Sequence, residues 1–479
     1  IRVFIELEKA PLIFYENILE KPSTFDSKKR EINKYQQRFK NNISRQFMDV
    51  EFLDSYDTIV NGFSCMASNE AIDSMKINPL VKNIYILNEI ERPSEEYRIA
   101  NVDGLRKLAN RTEGYGGSGT IISIIDTGFD PFHEAMKISD SVGVKITEDD
   151  VNRMRNENNL LGKYFSEKIP YGYNYFDRNT EIRDLGYKSE HGMHVAGIAV
   201  GNSENFKGQA PEAQLLAMKV FSNNPSFPST FEDIYIKAIE DSIKIGADVI
   251  NLSLGTPAGF NFENSILAKV IKTATDSGII CTTSAGNVGQ FLYGKGYPYF
   301  NDPDVGTVGS PSIISDTFSV GANYIEEGTG NIRMAEFSSW GVGPLLEMKP
   351  EIAAPGVEVL STLGNNKYGT MSGTSMASPY VAGNMAKLKK HIDDRYFVSS
   401  GDKKEVAELS KVVAMNTANI IYDKDNQPYS PRVQGSGFID MASALNFNTT
   451  VVDRNSGLAK VELKDFDATN FQIPLRLKN

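Results

Sequence analysis

Between about residue 100 and residue 446, apolar runs alternate with helix-like stretches. That alternation restricts the fold more than any other feature of the chain. The runs are "TIISIID", "QLLAMKV", "ADVINLSLG" and "GIICTTSAG", and the helical stretches include 231–245 and 262–277. Strands buried on both faces read as near-continuous apolar runs, and strands alternating with helices make a parallel sheet covered on both sides. The expected class is α/β, a doubly wound parallel sheet. In such sheets the working groups gather beyond the carboxyl ends of the strands. The polar segment 140–190 reads as an insertion between two of these units. Its "TEDDVNRMRN" reads as a helix start capped by Thr147, with acids in the first turn, rather than as a cation site.

Residues 1–93 read as a separate α+β unit. "RVFIELE" alternates like a half-buried strand. Phe25, Ile32, Tyr35, Phe39 and Ile43 mark one face of a helix whose many Lys and Arg form a solvated face. "FMDVEFLDSYDTIVNGFSCMAS" holds two runs able to pair. A short helix near 69–77 and the strand "VKNIYILNEI" follow, giving the β-α-β-β-α-β order of a ferredoxin-like unit. "ERPSEEYRIA", with Pro93, reads as a linker to the main unit, 94–446. In the tail, 447–479, "AKVELKD" and "FQIPLRL" read as two short strands, too few for an independent sheet. Either they dock on the main body, or the native chain continues past Asn479.

A net charge of −11 excludes nucleic acid as a natural partner, since phosphate binding needs a basic surface. The two cysteines, Cys65 and Cys281, fall in different units, which argues against a disulfide or a cysteine zinc site. Cys281 lies in an apolar run and reads as a buried small hydrophobe. No apolar run approaches the length of a membrane-spanning helix. The first residue is not Met and no signal peptide is seen, so an upstream segment is expected to have been removed or left out.

Four stretches carry chemistry. "TIISIIDTG" ends a buried strand in Asp126, "HGMHVAG" opens a helix at His191, "TTSAGN" ends a run at Asn287, and "MSGTSMASPYVAG" puts Ser375 at a helix start. Singly, these read as a strand-end turn acid, a core histidine and an N-cap serine. Pro379 is expected in or near the first turn of its helix, where a missing N–H is tolerated. Together they meet the needs of acyl transfer: a nucleophile, a base to take its proton, and a carboxylate to orient the base. The Asn287 amide and the Ser375 backbone N–H supply a candidate oxyanion site. The close pair His191 and His194 also raises a metal reading, but no motif ties His133 or His391 to it, so no metal site is assigned.

These blocks resemble those of the subtilisin-like serine proteases, the subtilases, over about 100–446. The resemblance implies Asp126 as orienting acid, His191 as general base and acid, and Ser375 as nucleophile. It gives Asn287 the oxyanion and His194 a structural role. It places Ser253, Leu254 and Gly255 of "NLSLG", with Gly286 of "SAGN", along the substrate. Within the family the chain looks most like lactocepin-like cell-envelope proteinases and complement-cleaving surface peptidases, on "HGMHVAG" with Met193, "APEAQLLAMKV" and "SPRVQGSGFIDMASAL".

The resemblance makes residues 1–93 an inhibitory prosegment that acts as intramolecular chaperone and leaves its tail in the cleft, and it makes 447–479 the start of a β-sandwich that follows the protease domain. Autoprocessing is expected between about Glu89 and Val102. The implied protein is a serine endopeptidase made as a zymogen, monomeric, acting on protein or peptide substrates outside the cell or at a bacterial cell surface. A dedicated processing protease for one precursor, or an inactive scaffold, are the alternatives. Two departures stand out. Only "NYIEEGTGNIR" lies where that branch carries a protease-associated insert, and "GNSENFKGQAP" is too short for the family's calcium loop. No cofactor is required, and calcium is left without an assignable site. The loops 221–232 and 288–305 are expected to shape specificity.

Overall fold

Four isoleucines and a serine in one six-residue strand explain the layering. In the strand Ile121–Asp126, Ile122 and Ile124 pack into one apolar cluster with Val195, Ala199 and Val381, while Ile121 and Ile125 face another with Ile236 and Ile271. Side chains alternate along a strand, so an all-apolar run needs a helical layer on each face. The helices His191–Val200 and Thr374–Tyr396 cover one face, and Glu232–Ile245 with Ile266–Asp276 cover the other. The computed structural model describes all residues except 17–21, 94–96, 100–115, 140, 188, 260–264, 290–305, 344, 397–400 and 464–469.

The central sheet has eight strands. Its order is Ile332–Met334, Phe318–Ile325, Ile280–Ser284, Val249–Leu252, Ile121–Asp126, Gln214–Lys219 and Tyr171–Asn174, with Ile352–Pro355 also paired to Phe318–Ile325. All pairings are parallel except that of Ile332–Met334. The expected α/β sheet is present, and one strand in it was not foreseen. Tyr171–Asn174 lies inside the segment read as an insertion. Its "YGYN" hides an edge strand behind glycine and aromatic hydroxyls. The Thr147 helix start is as expected: Asp150 N–H donates to Thr147 Oγ1 at 3.3 Å and Asp150 Oδ2 accepts from Thr147 N–H at 3.0 Å.

Residues 1–86 form a four-stranded antiparallel sheet ordered Glu51–Tyr56, Gly62–Met66, Arg2–Leu7, Val81–Ile86, with the helices Pro22–Gln46 and Asn69–Lys76. The unit docks on the Glu232–Ile245 helix. Arg2 forms a two-pronged pair with Asp233 at 2.9 Å on each prong, and Tyr56 Oη donates to the Asp233 carbonyl at 2.7 Å. Glu240, fully buried, accepts from the Asp57 and Thr58 N–H groups at 3.2 and 2.9 Å. Lys237 and Lys244 flank it at 2.6 and 3.2 Å.

The described residues of the segment read as a linker, and those just before it, pair with the main unit. Glu89–Glu91 pairs antiparallel with Ser229–Phe231, and Tyr97–Ile99 with Lys367–Met371. Short polar strands are hard to read from sequence because the pairing edge, not the side chains, holds them. The tail also departs from expectation. Its strands are Thr450–Asp453 and Leu475–Lys478. The described part of "AKVELKD" is not a strand, and Lys460 instead turns inward to Glu351 at 3.0 Å, beside Lys349. In "FQIPLRL" the strand starts only after Pro474, which has no N–H to give a ladder. Both cysteines are buried and free, and burial pushes each thiol up to about 12.

Replacing Glu240 with Ala removes the acceptor of the Asp57 and Thr58 N–H groups and the carboxylate between Lys237 and Lys244, so docking of residues 1–86 should weaken. Hydrogen exchange on the Ser375→Ala chain is expected to show Thr58 protection falling about 100-fold, with Ile121–Asp126 unchanged. Burial works to raise the Glu240 carboxyl, but Lys237 and Lys244 outweigh it and hold it below its usual 4.5. The folded pKa is therefore depressed. Its contribution is complete above about pH 5 and is lost as pH falls toward the folded value. Thr58 protection that is equal at pH 7 and pH 4 in wild type, after correction for intrinsic exchange, would contradict this.

Candidate active site

Three neighbouring strands end together. Leu252 lies beside Ile125 on one side and Thr283 on the other. Asp126, Ser253 and the turn at 285–287 therefore emerge at one edge of the sheet, at its carboxyl ends. Asp126 has no exposed surface. Its Oδ1 accepts from His191 Nδ1 at 2.7 Å and from the Thr127 N–H at 2.6 Å. A carboxylate only accepts, so Nδ1 carries the imidazole proton and Nε2 is left as the basic nitrogen.

The residue after His191 must be small. A Cβ on Gly192 would lie 2.5 Å from the Gly128 carbonyl and 3.1 Å from Asp126 Oδ1, wedging apart the acid and the helix. The Gly192 N–H donates to Thr127 Oγ1 at 3.0 Å. Lys219 sits opposite Asp126 in register and donates to the Thr127 carbonyl. Burial holds its ammonium down to about 8, against the pull of Asp184, Asp177 and Asp126. His194 serves a different element: its Nε2 donates to the Gly369 carbonyl at 3.1 Å. Among the described residues, no three His, Cys, Asp or Glu side chains gather where a metal ion could be held.

The helix Thr374–Tyr396 carries Pro379 beyond its first turn, deeper than expected. A proline there leaves the carbonyl four residues back, that of Ser375, without its helical donor. Ser253 Oγ supplies the missing bond at 3.0 Å. Ser375 Oγ in turn approaches the Ser253 carbonyl at 3.4 Å. Asn251 holds this clasp from below, donating to Ser253 Oγ at 3.0 Å and accepting from Ser378 Oγ at 2.6 Å. Ser253 thus fastens the backbone of Ser375. Leu254 is buried, and Gly255 is exposed, with no room for a side chain against the Ser310 carbonyl.

Asn287 is oriented from one side. Thr374 donates to its Oδ1 twice, from N–H at 2.8 Å and from Oγ1 at 2.9 Å. With the oxygen so held, the amide NH₂ points away from Thr374. Thr374 Oγ1 also accepts from the Gly286 N–H at 3.0 Å, and Gly286 has a φ of +114° that favours glycine. Sequence reasoning gave no role to Thr374, Asn251 or Lys219. Thr374 could have been found as the neighbour of Ser375, and Lys219 as a lysine closing an otherwise apolar strand beside that of Asp126. Most of the loop 288–305, and residues 94–96 and 100–102 of the expected processing region, lie outside the described residues.

The sequence profile of the Subtilase family matches residues 117–437. The PII-type proteinase of Lacticaseibacillus paracasei is 29% identical, over 89% of this chain and 31% of its own length. Its alignment runs over 593 positions, more than the 479 residues here, so the relative has inserted residues that this chain lacks. The C5a peptidase of Streptococcus pyogenes is 26% identical, over 76% of this chain and 42% of its own length. The chain therefore spans less than half the length of these curated relatives. A solved structure, that of the prenylagaramide maturation protease PagA, overlaps with 21% identity and a TM-score of 0.48, covering 69% of this chain and 94% of that one. The profile match takes in more than half of the chain and every residue of the Asp126, His191, Asn287 and Ser375 cluster, and the chain belongs to the subtilase family.

Proposed function

We propose that the chain is a serine endopeptidase that cleaves protein or peptide substrates through Ser375, His191 and Asp126. The observation that carries this reading is the buried 2.7 Å contact between Asp126 and His191 Nδ1, at the sheet edge where Ser375 is clasped. His191 Nε2 takes the Ser375 Oγ proton as the oxygen attacks the scissile carbonyl. The carbonyl oxygen becomes an oxyanion, stabilised by the Asn287 NH₂ and the Ser375 N–H. His191 then gives the proton to the leaving amine, and water reverses the sequence to free the acyl group. Asp126 stays ionised and keeps the imidazolium in place. Thr374 acts through Asn287, and Ser253 through the Ser375 backbone.

Residues 1–93 act in this reading as the prosegment of a zymogen. Its support is the docking on Glu232–Ile245 and the seating of Glu89–Glu91 against Ser229–Phe231. A tail held this way keeps the cleft filled until the prosegment is degraded. The resemblance to the cell-envelope branch supports a location outside the cell or at its surface. Among the described residues no helix is long and apolar enough to cross a membrane.

Ser375→Ala is expected to lower peptide hydrolysis by about 10⁶-fold, and Asn287→Ala by about 10²–10³, both measured as kcat on a fluorogenic peptide. Near-normal turnover in either variant would remove its assigned role. Intact-mass analysis should find the wild-type chain cut between about Glu89 and Val102, with the Ser375→Ala chain whole. Equal cutting in both would assign it to another protease. His191→Ala should abolish turnover. His194→Ala should instead lose about 2–4 kcal/mol of stability in urea unfolding, from the cavity and the unpaired Gly369 carbonyl, while the Asp126–His191 contact persists.

A further inference from the structure

The charge just beyond the first unit has a pocket made for it. Ile90 lies opposite Thr230 in the Glu89–Glu91 pairing, and the Arg92 N–H extends that pairing to the Pro228 carbonyl at 3.3 Å. Ile90 is buried in the same apolar cluster as Ile234 and Leu254. The Arg92 side chain then turns into the main unit. Its Nη1 meets Asp184 Oδ2 at 2.5 Å, and its Nη2 donates to the Ser222 carbonyl at 2.7 Å. The guanidinium lies over the rings of Tyr187 and Phe221, 4.2 and 5.1 Å from their centroids. Both charged side chains are buried, Arg92 at 8% and Asp184 at 3% exposure. A carboxylate, a carbonyl and two ring faces around one planar cation fit arginine better than lysine.

The pocket borders the Asp126–His191 pair. A Cβ on Gly128 would touch the Asp184 backbone at 2.8 Å, and the Gly128 carbonyl itself faces Gly192. Burial lowers the Arg92 guanidinium from its usual value, and Asp184, Tyr187 and Asp126 work against that by favouring its charge. Beyond Arg92 the chain is seated again at Tyr97–Ile99, against the Lys367–Met371 strand that leads to Ser375. The described flanks of this stretch thus pair with the Ser229–Phe231 and Lys367–Met371 strands. An extended peptide adding a strand gains affinity from backbone bonds and specificity from side-chain pockets.

We infer that Asp184, Tyr187, Phe221 and the Ser222 carbonyl form a specificity subsite for arginine a short way upstream of the cleaved bond, with Arg92 as its built-in occupant. The inference rests on the proteolytic reading above. When the prosegment tail leaves, the Asp184 carboxylate keeps the Tyr187 N–H at 3.3 Å and loses the paired guanidinium. A substrate arginine restores the pair. Lys219 lies near enough to feel the Asp184 charge, but among the described residues no ion pair joins the two, and its ammonium donates to the Thr127 carbonyl.

The test is a cleavage profile. The full chain, left to process itself, is incubated with a proteome-derived peptide library, and the products are read by mass spectrometry. Arginine should be enriched over alanine by about 30-fold or more at one fixed position before the cut, with lysine weaker. Normalised to each variant's own total cleavage, Asp184→Asn should lose that enrichment, Asp184→Glu should keep part of it, and Asp184→Lys should turn it toward Asp and Glu. Wild-type cleavage without basic enrichment overturns the subsite and leaves proteolysis standing, even if no variant folds. Equal enrichment in wild type and Asp184→Asn does the same. No cleavage by wild type overturns proteolysis, and the subsite with it.

Discussion

A buried carboxylate accepting from an imidazole is the interaction on which the rest of the site depends. Asp126 lies at the end of a fully buried, mostly isoleucine strand, where an unpaired charge would be costly. His191 Nδ1 and the Thr127 N–H satisfy one of its oxygens. That arrangement fixes the imidazole tautomer. It also fixes the start of the His191–Val200 helix, because only glycine fits between that helix and the strand end. Lys219, on the adjoining strand, ties down the Thr127 carbonyl so that the acid cannot drift from the base.

The serine side is built by a related device. Pro379 removes a helical donor and so exposes the Ser375 carbonyl to a bond from another strand. Ser253 takes that place, and Asn251 stiffens Ser253. Thr374 does the same for Asn287 by holding its amide oxygen. Each candidate reacting group is therefore positioned by a neighbour that need not touch substrate. Preorganised donors of this kind are what make electrostatic stabilisation effective in a water-poor site.

Much of this was legible in the sequence. The runs ending in Asp126, Leu252 and Ser284 declared a parallel sheet, and with it the edge at which the site would form. The β-α-β-β-α-β order of the first unit was equally plain from periodicity. What escaped were features whose cause is non-local. Tyr171–Asn174 is a strand because an edge was open beside Gln214–Lys219, not because its residues alternate. Glu89 and Ile90 were read as the end of the strand "VKNIYILNEI", and Glu91 and Tyr97–Ile99 as linker, because short polar strands leave no apolar pattern. Lys460 reads as a strand residue until its partner Glu351, more than a hundred positions earlier, is known. The depth of Pro379 was misjudged for the same reason: the bond that compensates for it comes from Ser253.

The account turns on Ser375 being a nucleophile activated through His191. Labelling with a peptidyl phosphonate, followed by peptide mapping, tests this most directly, since the reagent bonds only to a serine whose proton is being taken. The autoprocessed chain should carry one label, on Ser375, and His191→Ala should carry almost none. Absence of label on the wild-type protein, or a label on Ser375 undiminished in His191→Ala, would contradict the account.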